Sequence, residues 1–143
     1  MLKVLLAVDG SENALRATRE LIGNAASYKE PLQVELLTVR SPLPIGGFAG
    51  TVLTRDMIES YYREEGANAL AASEELLSRA GIVFTPHVLV GDVATTIVEH
   101  ATRSGCRMIY MGTRGLAPIP SLVLGSVATK VLHLARMPVM MVP

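Results

Sequence analysis

The sequence predicts an α/β fold, a parallel sheet lying between two layers of helices, and three observations lead there. Short apolar runs rich in Val, Leu and Ile recur five times along the 143 residues. Segments with helical spacing of their apolar residues separate these runs, so strand and helix alternate throughout. The first run, Leu2-Lys3-Val4-Leu5-Leu6-Ala7-Val8, is almost continuously apolar rather than alternating, as expected of a strand covered on both faces. Alternation of this kind joins parallel strands through helices that pack on the sheet.

Taken in order, Leu2 to Val8 is the first strand and belongs at the centre of the sheet. Ser11 to Ser27 is helical, with Ser11 suited to cap the helix and Glu12 suited to its positive end. Leu32 to Val39 is the second strand. Arg40 to Leu53, with Pro42, Pro44, Gly46, Gly47 and Gly50, reads as a loop. No second core follows it, so residues 1–143 are expected to form a single domain. Thr54 to Ala80 is a long helix and Ile82 to Val90 the third strand, where Pro86 lacks the N–H that a central ladder position needs and so marks an edge. Asp92 to Ser104 is the third helix, Met108 to Met111 the fourth strand, and Ser126 to Arg136 the last helix. The final run, Val139 to Val142, is short, apolar and bracketed by Pro138 and Pro143. An uncovered apolar edge is a template for aggregation, so a homodimer through Val139–Val142 is expected to cover it.

Composition narrows the function. Thirteen Lys+Arg against 13 Asp+Glu leave a net charge of zero, and no basic run is present to draw in nucleic acid or an anionic membrane. Aromatic residues make up 4%, too few for a base-stacking platform. No apolar stretch reaches the ~18 residues of a membrane span. The lone Cys106 cannot form an internal disulfide, and the apolar start is too short for a signal peptide before Asp9 interrupts it. A cytoplasmic location is the expectation.

The informative stretch is Ile109-Tyr110-Met111-Gly112-Thr113-Arg114-Gly115, followed by Leu116 to Leu124 and then Gly125-Ser126-Val127. A buried strand ends in glycine, a second glycine follows after two residues, and a third comes nine residues later, where Ser126 opens a helix. Glycines allow backbone N–H groups close to an anion, and a helix start adds free donors and the positive end of a dipole. The same glycines would also serve a tight turn and a helix entry; the serine after the third favours a phosphate chain.

With Val8-Asp9-Gly10-Ser11 after the first strand, this stretch resembles the universal stress protein family, whose nucleotide-binding members show the same glycine spacing followed by Ser or Thr. The resemblance spans essentially the whole chain, including Gly91-Asp92 and the closing Pro138-Val139. It implies a Rossmann-like open five-stranded parallel sheet of order 3-2-1-4-5 with helices on both faces, consistent with the two edges read above. That order opens a crevice at the C-terminal ends of the first and fourth strands. The resemblance further implies that Asp9 and the backbone near Val39 meet ribose and adenine. Gly112, Arg114, Gly115, Gly125, Ser126 and Val127 would surround the phosphates, and Ala7 and Met111 would line the base or sugar pocket. The implied ligand is ATP, with AMP and ADP as alternatives and Mg²⁺ or Mn²⁺ as companion ion. Asp9 has a plainer reading as a polar residue between a strand and the Ser11 cap.

Pro118 and Pro120 depart from an ideal phosphate loop because each removes a backbone donor, and Arg114 is the one basic side chain nearby. The expected function is a regulatory nucleotide-binding module. An interaction protein that ignores nucleotide and a slow ATP hydrolase relying on Asp9 or a metal are the alternatives. His87, His100 and His133 lie thirteen and thirty-three residues apart, a spacing that argues against a zinc site. His87 is expected to face across an edge strand, His133 to lie near the surface of the last helix, and Cys106 to be a packed thiol. Met57, Ile58, Tyr61 and Tyr62 are expected to pack on the sheet or line the long loop, and Glu64-Glu65 and Glu74-Glu75 to face solvent.

Overall fold

The computed structural model describes residues 1–43, 53–116 and 123–143. The strands are β1 (Leu2–Ala7), β2 (Leu32–Arg40), β3 (Val83–Val90), β4 (Met108–Gly112) and β5 (Val139–Val142), and the helices α1 (Glu12–Asn24), α2 (Arg55–Arg79), α3 (Val93–Arg103) and α4 (Ser126–Leu134). All pairings are parallel and the strand order is β3-β2-β1-β4-β5. The Pro86 strand and the Pro-bracketed last strand are therefore the two edges, as the sequence predicts. The middle of Arg40 to Leu53 and the pair Pro118 and Pro120 lie outside the described residues.

Helix boundaries follow local chemistry. Ser11, Thr54 and Asp92 cap α1, α2 and α3, each accepting a hydrogen bond from the backbone N–H three residues on. Such a cap contributes ~1 kcal/mol. The predicted first helix ends at Asn24 and continues only as a 3-10 turn over Ala25–Ser27. The last helix stops at Leu134, short of the predicted Arg136: Ala135 turns extended (ψ 140°), and Pro138 follows three residues on, as is common after a helix end. Val8 falls just past β1, although its N–H still donates to the Leu37 carbonyl at 2.9 Å.

Alternation along the strands sorts side chains into two cores. Val4, Leu6, Leu36 and Tyr110 pack under α1 and α2, against Ala17, Leu21, Leu70 and Leu77. Leu5, Leu37, Ile109 and Met111 pack under α3 and α4, against Ala94, Ile97, Ala101 and Val131. Both faces of β1 are buried, which explains its unbroken apolar run. The first turns of α2 stand clear of the core, whose buried positions begin at Gly66. A Cβ at Gly66 would lie 2.5 Å from the Val88 methyls, so glycine there lets the helix backbone rest on β3. Among the described residues, no helix is long and apolar enough to cross a membrane.

Candidate functional site

The crossovers from β1 and β4 leave in opposite directions, the first through α1 toward β2 and the second through α4 toward β5. Divergent connections leave a crevice beyond the strand ends. Here it is a cleft of about 400 Å³. All ten residues singled out from the sequence line it: Ala7, Asp9, Val39, Met111, Gly112, Arg114, Gly115, Gly125, Ser126 and Val127. The cleft also takes in Leu37, Val93, Ile97 and Thr113, which sequence reasoning did not name. Leu37 and Ile97 were visible as apolar positions of a strand and a helix, but nothing local placed them beside Asp9.

The two ends of the cleft differ in chemistry. Leu37, Val39, Val93, Ile97 and Met111 make an apolar slot from the ends of β2 and β4 and the start of α3. Asp9, Thr113, Arg114 and Ser126 supply the polar side chains of the other end. Asp9 follows β1, and its Oδ1 accepts the Ser11 N–H at 2.9 Å, which fixes the carboxylate at the rim. Gly10 makes the turn possible with φ +87°, a left-handed conformation.

The three glycines of the motif have different reasons. At Gly112 a Cβ would stand 2.5 Å from Asn13 Oδ1, and at Gly115 it would stand 2.9 Å from Asp9 Oδ2. At Gly125 the nearest atoms are the Thr113 carbonyl oxygen at 3.4 Å and Arg114 Cα at 3.6 Å, ordinary contact distances. The protein's own packing thus calls for glycine at 112 and leaves little room at 115, whereas at 125 it does not.

Of the four described α-helices, α4 alone has no side-chain cap. Gly125 sits at its N-cap with φ −72° and ψ 170°. The N–H groups of Ser126, Val127 and Ala128 have no acceptor within the helix and open toward the cleft with the positive end of the dipole. The Gly125 N–H donates to the Thr113 carbonyl at 2.6 Å and so ties the start of α4 to the end of β4.

Asn13 is the structural residue that sequence reasoning missed. It is 5% exposed in the first turn of α1. Its Nδ2 donates to the Val142 carbonyl at 2.9 Å and its Oδ1 accepts the Arg114 N–H at 2.6 Å. One amide thereby ties α1 to the end of β5 and to the loop leaving β4. The available signal was an asparagine beside Ala14 on the buried face of an amphipathic helix; its partners lie 101 and 129 residues away.

The histidines require a correction. Spacing along the chain argued against a shared site, but β3 and α3 bring His87 and His100 face to face, ring centroids 4.5 Å apart. His87 does not simply face across an edge strand: its Nε2 meets Glu35 Oε2 of β2 at 2.5 Å. His133 is exposed on α4, as expected. Burial, followed by the neighbouring His87, holds the His100 imidazole below its ordinary range, against the opposing pull of Glu35. Cys106 is the packed thiol expected, 7% exposed, and burial raises its pKa to about 11. Tyr61 and Tyr62 both line a hollow at the start of the long loop, with the Tyr62 hydroxyl accepting the Leu43 N–H at 2.6 Å, while Tyr61 and Met57 are about half exposed.

Comparison with known proteins fits this architecture. The model of the universal stress protein family matches residues 1–143, and the chain belongs to that family. Universal stress protein MJ0531 of Methanocaldococcus jannaschii is 29% identical over 143 residues, covering 98% of this chain and 81% of the relative. Among solved structures, the hypothetical protein MJ0577 superposes with a TM-score of 0.79 at 24% identity, covering 98% of this chain and 94% of the other. A universal stress protein solved in complex with cAMP superposes with a TM-score of 0.68 at 25% identity, covering 99% and 97%.

Proposed function

We propose that the protein is a regulatory module that binds an adenine nucleotide in the cleft between β1 and β4. The observation that carries this reading is the uncapped N-terminus of α4 opposite Asp9, at a strand-order switch point, with an apolar slot beside it. The cleft volume, about 400 Å³, falls within the range of small-molecule sites. The slot formed by Val39, Leu37 and Ile97 suits a purine face. In this reading Asp9 accepts from ribose hydroxyls, Gly112, Arg114, Gly115, Gly125, Ser126 and Val127 surround the phosphates, and Ala7 and Met111 lie under the sugar and base; the shared lining of one cleft supports it. The relative bound to cAMP supports the ligand class.

ATP is the leading ligand, with AMP and ADP as shorter alternatives. The oxygen donors Asp9, Thr113 and Ser126 fit a hard cation such as Mg²⁺ or Mn²⁺ accompanying the phosphates. The output is occupancy rather than turnover, carried by residues 1–143 as a single domain in the cytoplasm. A homodimer through the β5 edge relays it, and Met140, 37% exposed, offers apolar surface there.

Titration calorimetry of nucleotide-stripped protein with ATP plus Mg²⁺, with AMP in parallel, tests the reading. Saturable heat lost in Gly125→Val is expected, since a side chain there fills the approach to the α4 amides and its Cβ meets the nearest described atom at an ordinary 3.4 Å. No heat up to millimolar ATP with a folded protein would overturn nucleotide binding and favour an interaction protein. Turnover abolished by Asp9→Ala while binding persists would instead make it a hydrolase. A strictly monomeric sedimentation profile at micromolar concentration would remove the dimer.

A further inference from the structure

A second constellation lies outside the cleft. Glu35 sits on β2, 8% exposed, on the face packed by α3. A carboxylate there is costly unless polar partners meet it. Two imidazoles do. His87 reaches it from the edge strand β3, where Leu37 pairs with His87 in register and so places that ring one step along the same face. His100 reaches it from α3, three residues after the buried Ile97. His87 Nε2 lies 2.5 Å and His100 Nε2 3.9 Å from the same oxygen, Glu35 Oε2. The histidine side chains are 28% and 12% exposed.

We propose that Glu35, His87 and His100 form a binding site for a late first-row divalent cation, with Zn²⁺ as the representative ion. One ligand atom from each residue lies within 4.8 Å of the others. Four ligands at 2.0–2.1 Å around tetrahedral zinc stand ~3.3 Å from one another. The two distances to Glu35 Oε2, 2.5 and 3.9 Å, bracket that separation. Seating an ion therefore needs one gap to widen and another to close, by side-chain torsions. Two imidazoles and one carboxylate are a zinc-type donor set and suit the harder Mg²⁺ poorly. Three protein ligands leave a fourth position for water or an exchangeable ligand. Ser104 Oγ, 3.3 Å from His100 Nε2, is the neighbouring hydroxyl that can hydrogen-bond such a water. The bound ion would staple the edge strand β3 to β2 and α3, making the protein's stability responsive to metal.

None of the three residues lines the nucleotide cleft, so this site stands or falls separately from that reading. The test is equilibrium dialysis and thermal melting of metal-stripped, nucleotide-free full-length protein with Zn²⁺, together with the visible spectrum of the Co²⁺ form. One equivalent of Zn²⁺ should bind and raise Tm, Mg²⁺ should not substitute, and Co²⁺ should give ligand-field bands of low coordination number. His87→Gln and His100→Gln should each weaken Zn²⁺ at least ~10-fold, the lower end expected for altering a metal site's support and a minimum for losing a ligand. His133→Gln, on the exposed face of α4, should leave it unchanged. Because Glu35→Gln alters a buried group, the partly exposed His87 variant is the decisive one. Zn²⁺ affinity unchanged in folded His87→Gln, or equally reduced in His133→Gln, would overturn the site and leave a metal-free His–Glu contact.

Discussion

The two faces of the sheet use buried polar groups in different ways. Under α1 and α2 they close on one another: Asn13 on two backbone groups, Thr18 Oγ1 with Ser73 Oγ at 2.9 Å, and the Tyr110 hydroxyl with Tyr28 and Asn24. On the α3 and α4 side, polar groups instead gather with donor and acceptor capacity to spare, around open space at the cleft rim and in direct contact at the Glu35 cluster. A closed pair fixes the packing of two elements and is fully used in doing so. A convergent group has a lone pair or an N–H left over for a ligand. The first face should therefore respond to mutation in stability, and the second in binding.

The largest effect is expected at Asn13. Replacing it by Ala leaves the part-buried Arg114 N–H without its partner, a loss of ~1–3 kcal/mol, and takes one of two donors from the Val142 carbonyl, which keeps the Thr113 N–H at 2.9 Å. Urea denaturation should show a loss of about 1–3 kcal/mol. A loss below ~1 kcal/mol would mean that water replaces the amide and that this face is not closed. Nucleotide affinity should fall as well, because the loop that Asn13 holds carries Arg114.

Thr18 and Ser73 sharpen the same side. Thr18 is 0% and Ser73 1% exposed, so Thr18→Val strands the serine hydroxyl and should cost about 1–2 kcal/mol. Adding Ser73→Ala to Thr18→Val should recover part of the loss, because both partners are then apolar. Strictly additive losses in this double-mutant cycle would show that the two hydroxyls do not act as a pair.

These clamps also mark what could be read from the chain alone. The central first strand, the two edges and the glycine cradle were legible because they rest on local signals, namely the apolar run of β1, Pro86, the prolines around the last strand and the glycine spacing after β4. The full strand order and the rest of the cleft lining came with the resemblance to the universal stress protein family. Gly112, Gly115, Gly125 and Ser126 are close in sequence, so their spacing survives folding as geometry. Asn13 was not legible, since its role depends on backbone groups more than 100 residues away. His87 and His100 were misjudged for a related reason. Linear separation says nothing about two residues placed on an edge strand and on the next helix, which a right-handed crossover folds back onto the same sheet.

On the binding face, Asp9→Ala should separate the two kinds of effect. It removes only the hydrogen bond from the Ser11 N–H at a partly exposed turn, so stability should fall by no more than ~1 kcal/mol. Affinity for adenine nucleotide should nonetheless drop at least ~10-fold, the weight of one lost hydrogen bond of ~1.4 kcal/mol to a charged group. A large stability loss with unchanged affinity would place Asp9 with the clamps and reverse the comparison.

The smallest effect belongs to Asp92, at the exposed start of α3 and outside both kinds of site. Its hydrogen bond with Lys130, and after it those with Thr95, lower its pKa from 3.8 to about 2. A carboxylate depressed in the folded state stabilises it at pH above the unfolded value, and that contribution disappears as pH falls from near 3.8 through about 2. Asn caps a helix about as well as Asp, so Asp92→Asn keeps the cap and removes the charge. The Tm of the wild type should exceed that of Asp92→Asn slightly at neutral pH, with the gap closing across the acid range and shrinking in high salt, because both side chains are exposed. A gap that persists at pH 2 would show that the ion pair with Lys130 is not its source and would shift the difference to the cap itself.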